Sequence, residues 1–539
     1  MKFPLEQHDR RRHRHAPARA GKRTRRAAPR YLAAFPVTIH VGSGSAERVY
    51  RARAWDISDG GLALENIDIP DREARISLDF DIPPGTMPEE YVRGRYHVEG
   101  RVAHRGNERM GVAFRQPLSR RLAKGLWPGL RSLSVMALFL AVSFILLIKY
   151  QNIYYFWFDV PVFLYGLAVG AYLLSRFVFA AFYRPPEARD DSPAVSIVIP
   201  ALNEEGEIRR TLEHALESDY PADKLQVIAV NDGSDDRTLE VMHEVRERYP
   251  ELVVIDFGER RGKRHALAAG TKLATGEVLV FVDSDSVVHP DAVRRIVDGF
   301  AEPDVAAVCG HCEVENQWTN LLTRMQAVRY YIGFRVMKGA ESIFDSVTCL
   351  SGPLAAYRRE ALMPVLDDWV RQTFLGRPAT YGDDRSLTNF LLKDYKIRYD
   401  SRARTRTIVP EQYGTFLRQQ MRWKRSWFRE SVRAAGFMWR KEPLMWLSFY
   451  LGLILPILGP AIVFRAMLYV PLFQHGTPFM YMFGILLMSV LMSSVYLFAK
   501  RSRLWAYGIP FCFFYMFVLV WQLPVAILSF WVPRWGTRG

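Results

Sequence analysis

The sequence predicts a multidomain membrane protein: a small N-terminal β-barrel, a central α/β domain and an α-helical transmembrane region. Three observations predict it. Five apolar stretches approach or exceed the roughly 20 residues that cross a hydrocarbon layer. Short alternating strands crowd residues 31–117, and strands alternate with helices from 195 onward. The chain has 539 residues, 49% apolar and 24% charged, enough for several cores. With 72 basic and 56 acidic residues, its formal charge is +16.

A basic arm, residues 1–30, comes first. Residues 1–31 hold eleven Lys or Arg against two Asp or Glu. Such a run reads as a solvated arm, and it also suits anionic lipid or phosphate groups. It lacks the apolar segment of a secretory signal, so none is expected. Nucleic acid is not expected as a partner, because the charge is one short arm with little aromatic interleaving.

Residues 31–120 form the second unit. Alternating apolar and polar residues at 35–41, 74–82, 96–105 and 110–114 predict the strands of a small barrel. Two local motifs flank its start. Arg26 and Arg30 stand four residues apart, and Asp56-Ile-Ser58-Asp-Gly-Gly61 forms a polar turn. Paired guanidiniums grip phosphates and stack on flat bases, while glycines let a backbone approach a ligand.

The apolar stretches are 132–149 and 159–182 before the central block, then 444–470, 478–499 and 504–531 after it. Arg120, Arg121, Lys124 and Arg131 precede the first, and Arg184 follows the second. Arg440 and Lys441 precede the third, and Lys500, Arg501 and Arg503 follow the fourth. Basic flanks mark cytoplasmic ends, so the arm, the barrel and the central block are expected inside, and the protein multi-pass. Five full crossings would place Arg534 and Arg538 outside. Either 504–531 breaks at Pro524 and returns, or 444–470 splits at Pro456 and Pro460.

The central domain, 190–440, begins with a continuous apolar strand at 195–201, followed by Asn203 and Glu204. A strand at 225–230 ends in Asn231-Asp232-Gly233. After LVVI at 252–255 comes a basic turn around Lys263 and Arg264, which could face a base or phosphate, and a helix from about 265. A strand at 278–282 ends in Asp283-Ser284-Asp285. This alternation predicts a doubly wound sheet, whose ligands sit at the C-terminal strand ends where all three polar clusters lie. Asp283 and Asp285 are hard oxygen donors suited to Mg²⁺ or Mn²⁺, with a diphosphate completing the shell. Asp232 suits a ribose or base. The alternative for the Asp283–Asp285 pair is simple solvation of a surface loop. Cys309 and Cys312 form a lone CxxC and are expected as reduced thiols in a buried strand.

The two N-terminal motifs, with the barrel between and after them, resemble the PilZ domain. That resemblance implies cyclic di-GMP as an allosteric activator, bound by Arg26, Arg30, Asp56, Ser58 and Gly61. From about 132 to 539 the chain resembles a family 2 glycosyltransferase of the GT-A fold, in the membrane setting of cellulose, chitin and hyaluronan synthases. The matching segments are Ser351-Gly-Pro-Leu-Ala-Ala-Tyr357, Gly382-Asp383-Asp384-Arg385, Gln419-Gln-Met-Arg422-Trp423 and the tail Trp535-Gly-Thr-Arg538. The run Gln372–Pro378 with Gly382–Asn389, and Arg418–Glu430, look most like bacterial hyaluronan synthases. The N-terminal position of the receptor module departs from their layout. Cellulose synthases carry theirs at the opposite end.

The resemblance implies a catalytic pair in which Asp384 is the base beside Asp383. It implies metal binding by Asp285 with Asp283. It also implies nucleotide-sugar contacts from Asn203, Glu204, Asp232, Lys263, Asp283, Gln419, Arg422, Trp423, Trp535 and Arg538. Arg538 on the diphosphate demands a cytoplasmic tail in 532–539, hence an even number of crossings. UDP-N-acetylglucosamine and UDP-glucuronic acid are the implied donors, the nascent polysaccharide and membrane lipids the other partners, and a bacterial inner membrane the setting. Segment 416–430 also reads as an amphipathic helix on the membrane surface. Competing readings are a chitin-type synthase, a non-processive transferase acting on a lipid, and a catalytically silent cyclic di-GMP receptor.

Overall fold

The computed structural model describes residues 30–33, 35–41, 48–65, 75–83, 86–87, 95–105, 109–118, 159–379, 381–475 and 477–532. Arg26, Trp535, Arg538 and the apolar stretch 132–149 lie outside the described residues.

Seven strands build the N-terminal unit: β1 (Arg30–Leu32), β2 (Pro36–Val41), β3 (Arg48–Ser58), β4 (Gly61–Glu65), β5 (Arg75–Asp81), β6 (Arg95–Arg105) and β7 (Arg109–Phe114). Six close a barrel in the order β3-β2-β5-β6-β7-β4 and back to β3, and β1 adds along the end of β3. Closure removes the exposed edges of an open sheet. Period-two alternation drives it: Ile76, Leu78 and Phe80 point inward, as do Met110 and Val112. Phe80 stacks on Phe35, Tyr96 and Phe114 at 5.6–6.1 Å between ring centroids. Strands β3 and β4 are the elements that alternation does not announce. Arg48, Arg51, Arg53 and Asp56 mask the pattern, and the segment read as a polar turn is a strand end, a tight Asp59-Gly60 reversal and a strand start.

Helix α1 (Val160–Phe182) follows; the Asp159 carboxylate accepts from the Val162 N–H and caps it. The central sheet contains β8 (Val195–Ala201), β9 (Leu225–Asn231), β10 (Val253–Asp256), β11 (Val278–Phe281), β12 (Ser286–Val288), β13 (Val305–Val314), β14 (Ala355–Arg358) and β17 (Lys396–Thr407). A small hairpin, β15 (Thr373–Phe374) and β16 (Arg377–Pro378), stands apart. The sheet order is β10-β9-β8-β11-β14-β13-β17-β12. Strands β10, β9, β8 and β11 run parallel, while β14 is antiparallel to both its neighbours, so the sheet is mixed. Every residue of β8 is buried, as its unbroken apolar run requires. Helices α2 (Ile208–Leu216), α3 (Thr238–Arg248) and α4 (Lys263–Leu273) connect the parallel strands. Cys309 and Cys312 are buried free thiols on β13, as expected.

Helices α5 (Leu321–Tyr331), α6 (Asp383–Leu392) and α7 (Tyr413–Met438) lead to the membrane segments α8 (Pro443–Phe464) and α9 (Phe479–Lys500). Among the described residues three spans, Val160–Phe182, Pro443–Phe473 and Tyr481–Lys500, are long and apolar enough to cross a membrane. Neither of the two breaks considered falls at the prolines expected to cause it. Helix α8 runs unbroken through Pro456 and Pro460 and loosens only at the wide turn Arg465–Tyr469. The stretch after Arg503 is a shorter apolar helix, Arg503–Leu519, whose turns tighten at its start and widen at its end, followed after an interruption by α10 (Gln522–Ile527). The interruption falls at Val520-Trp521, which leaves Pro524 in the first turn of α10, where a missing N–H costs little. Helix α10 lies against α7: Lys424 donates to the Gln522 side-chain carbonyl at 3.1 Å, and Gln522 donates to the Leu417 carbonyl at 3.1 Å; Lys424 also donates to the Leu519 carbonyl just before the break, at 2.6 Å.

Candidate active site

Strands β9, β8 and β11 are parallel neighbours, so their C-terminal ends lie side by side. This brings together Asn203, Asp232 and Asp283 from three distant segments. Asn203 takes a left-handed conformation (φ 55°), and its side-chain carbonyl accepts from the Asp235 N–H at 2.9 Å. The Glu204 N–H donates to Thr238 at 2.7 Å. Both residues therefore hold the loop after β9 in place.

Asp232 is buried. Its carboxylate accepts from the Arg261 and Gly262 N–H groups, each at 2.8 Å. It thereby closes the basic turn over the site, and Lys263, at the start of α4, is aimed at Asp283, with which it forms an ion pair. Arg264 does something else. Expected to face a ligand, its guanidinium is committed to Asp383 and to the Ala379 carbonyl, and both charged side chains are 7% exposed.

Asp285 lies two residues beyond Asp283. Burial and the Asp283 charge push its carboxyl up to about 6. Among the described residues no group of three or more His, Cys, Asp or Glu is placed to hold a metal ion. Asp283 and Asp285 offer hard oxygens facing one cavity, a donor set that fits a divalent cation whose remaining positions a diphosphate would fill, with Lys263 already paired to Asp283.

Asp383 and Asp384 open α6 and both border the cavity, but their partners differ. Asp383 turns inward to Arg264. Asp384 lines the cavity, with its Oδ1 accepting from the Arg385 N–H at 2.9 Å. Gly382, just before, sits at φ 79°, and a Cβ there would lie 1.8 Å from the Ser426 hydroxyl of α7. That close approach seats the base-bearing turn on the helix that carries Gln419, Arg422 and Trp423. These three share one turn of α7 and face the same cavity. Burial pulls the Arg422 guanidinium below its ordinary value, while the charges of Asp384, Asp383 and Asp283 act the other way. A buried pair, Arg429 with Glu430, ties α7 to Tyr381 and Asn389.

The cavity has a volume of about 1630 Å³. It runs from Asp232 and Lys263 past Asp283, Asp285 and Asp384 to Trp423, and on to Pro456, Tyr515 and Leu523 of the membrane segments. Arg329 of α5 lies 5.5 Å from the Trp423 ring centroid. Residue-type patterns do not single out Arg329, because one charged residue among 72 bases and 56 acids carries no spacing signal; Arg264 is legible as part of the basic turn, but its commitment to Asp383 is not.

In the barrel, β1 pairs with β3 so that Arg30 stands opposite Ser58. The end of the first motif thus lies beside the second. Asp56 is buried and the Ser58 hydroxyl donates to the Gly61 carbonyl at 3.0 Å. Gly61 serves the barrel: a Cβ there would lie 2.4 Å from the Val112 carbonyl oxygen across the sheet.

Residues 196–366 match glycosyl transferase family 2, and residues 24–127 match the PilZ domain. The chain is 35% identical over 302 residues to the hyaluronan synthase of Streptococcus pyogenes, an overlap of 54% of this chain and 71% of that one. It is 33% identical over 293 residues to an N-acetylglucosaminyltransferase of Rhizobium meliloti, covering 52% and 68%. A solved mannosyltransferase from Pyrobaculum calidifontis, in complex with GDP-Man and Mn²⁺, aligns with 68% of this chain and 98% of its own at 21% identity and a TM-score of 0.48.

Proposed function

Because the chain belongs to glycosyl transferase family 2 and joins that domain to a PilZ domain, we propose that it is a cyclic di-GMP-regulated processive synthase. It transfers sugars from UDP-sugars to a growing β-linked polymer and passes that polymer into the membrane. One observation carries the reading: a single cavity joins the carboxylates at the strand ends to the membrane helices, with Trp423 between them.

Asp384 acts as base. It takes the proton from the acceptor hydroxyl as that oxygen attacks the anomeric carbon, and the bond to the leaving diphosphate breaks with inversion. Asp383, neutralised by Arg264, holds α6 in place. Asp285 and Asp283 would hold Mg²⁺ or Mn²⁺, which supplies positive charge to the leaving diphosphate. Lys263 and Arg422 add fixed positive charge on the same side. Asn203 and Glu204 position the loop that carries Asp232, and Asp232 shapes the basic turn over the nucleotide. Gln419 and Trp423 orient the acceptor, with the indole stacking on a sugar face. Trp535 and Arg538 complete the diphosphate site from a cytoplasmic tail. Arg26, Arg30, Asp56, Ser58 and Gly61 bind cyclic di-GMP. The barrel and catalytic domain face the cytoplasm of a bacterial inner membrane.

The donor pair is UDP-N-acetylglucosamine with UDP-glucuronic acid, supported by the hyaluronan synthase likeness. A synthase using N-acetylglucosamine alone is the second reading, supported by the N-acetylglucosaminyltransferase likeness. Polymer synthesis in isolated membranes separates them. The two donors are supplied singly and together, with and without cyclic di-GMP. High-molecular-weight product only with both donors, stimulated by the dinucleotide, is expected. Product from one donor alone selects the second reading. Addition of one sugar to a lipid, or no product at all, overturns the processive assignment.

A further inference from the structure

Each half of the dinucleotide site in the barrel adjoins an aromatic residue that reaches the catalytic domain. Tyr31 follows Arg30 in β1, and Trp55 precedes Asp56 in β3. Strand geometry sends sequence neighbours to opposite faces, so what moves one residue moves the other. Asp56 is 3% exposed inside the barrel, while Trp55 stacks on His214 with centroids 5.0 Å apart and planes 28° from parallel. Arg109 of β7 lies 3.8 Å over the Trp55 ring and ion-pairs with Glu217, which also accepts from the Tyr249 hydroxyl at 2.5 Å. The Tyr31 ring meets His289 edge-on at 6.4 Å, under the Arg404 guanidinium at 4.8 Å. Arg406, two residues on, donates to the Thr86 carbonyl of the barrel at 3.1 Å.

These contacts fall on the two supports of the Asp283-Ser284-Asp285 loop. His214 sits on α2 less than one turn after Thr211, and the buried Thr211 hydroxyl donates to the Ser284 carbonyl at 2.8 Å. His289 follows the short strand that leaves Asp285, and its N–H donates to the Arg404 carbonyl at 3.0 Å. Between and beyond the two arginines of β17, Thr405 donates to the Val287 carbonyl at 3.0 Å and Thr407 reaches Asp285 at 3.5 Å.

We propose that the Tyr31–Trp55–Arg109 face of the barrel is an interaction surface for α2 and the β12–β17 edge, and that through it the barrel sets the position of the Asp283–Asp285 loop and hence the affinity for a nucleoside diphosphate. The inference rests on the reading of this chain as a cyclic di-GMP-regulated transferase. The dinucleotide signal enters at the donor site itself, one hydrogen bond beyond the domain contact on each side. Coupling of this kind is an energy shared between two sites and is reciprocal, so UDP must tighten or loosen cyclic di-GMP by the factor by which cyclic di-GMP changes UDP.

The full chain in nanodiscs tests it, with UDP plus Mn²⁺ and cyclic di-GMP titrated singly and together. Wild type is expected to show a coupling factor of at least about fivefold, equal in both directions. Trp55→Ala and Arg109→Gln are each expected to bind cyclic di-GMP within about twofold of wild type while the coupling falls toward one, and Trp55→Phe, which keeps a stacking ring, to retain it. Arg109→Gln leaves the barrel core untouched and guards against misfolding of the Trp55 variant. Wild-type coupling in both Trp55→Ala and Arg109→Gln overturns the proposal. If wild type binds no cyclic di-GMP, the regulatory reading fails. The surface is then judged by UDP affinity alone: a shift in Trp55→Ala supports it and an unchanged value overturns it.

Discussion

Arg264 grips Asp383 through two nitrogens, Nη2 at 2.8 Å and Nε at 3.0 Å from the same carboxylate oxygen, and both side chains are almost wholly buried. Two adjacent acids thus have different fates. Both border the cavity, but the charge of Asp383 is neutralised by Arg264. The consequence is a clean division of labour that mutation can read.

Asp384→Asn is expected to lower turnover by ~10²–10⁴-fold while UDP binding persists, because only the base is lost. Asp383→Asn strips the charge from the buried pair, and Arg264→Met leaves a buried carboxylate alone at a cost of about 3–5 kcal/mol. Thermal unfolding in detergent should register both of these and leave Asp384→Asn near wild type. A turnover loss in Asp383→Asn at unchanged stability would reassign the base.

Gly382→Ala places a methyl group where the Ser426 hydroxyl sits and forces an L-residue to φ 79°. Gly60→Ala meets nothing within 4 Å. The first should reduce polymer synthesis sharply and the second leave it unchanged; equal effects would remove the close contact between α6 and α7 from the account of the site.

Removal of divalent cations by chelation should abolish donor binding, with Mn²⁺ or Mg²⁺ restoring it. Asp285→Asn should raise the half-saturating metal concentration at least ~10-fold. Equilibrium binding of UDP against metal concentration measures this. Donor binding that is indifferent to chelation would remove the metal from the site.

Trp423→Ala removes the aromatic face in the cavity between base and membrane helices. A loss of stacking worth about 1 kcal/mol predicts roughly fivefold weaker acceptor retention and shorter polymer on a gel. Unchanged chain length would place the acceptor elsewhere.

His214, packed under Trp55, is pushed down to about 3, first by burial and then by the charges of Arg210, Arg109 and Arg406. A free imidazole titrates near 6.5, so the undocked or unfolded form binds the extra proton between those values. The docked state is therefore fully favoured above about pH 6.5 and weakens as pH falls below it. Barrel-to-domain protection in hydrogen exchange at pH 7.5 and 5.5 should show the loss, and His214→Phe should flatten it.

Much of this architecture is written in local pattern. The buried run 195–201, the alternation at 74–82 and 110–114, and the apolar lengths at 160–182 and 479–500 each specify an element, because burial on one or two faces imposes a period that composition reveals. The strand-end acids followed from the same logic, since parallel neighbours end together. Local pattern was silent where an element depends on distant partners. Strands β3 and β4 hide behind surface charge, and the break at Val520-Trp521 answers to Lys424 and Leu417 on another helix. The split between Asp383 and Asp384 depends on an arginine 119 positions away, and the seat of Trp55 on a histidine in another domain. A sequence carries the propensity of each segment. Which charge is neutralised, and which aromatic face is covered, is set only when non-local burial chooses between groups that look alike along the chain.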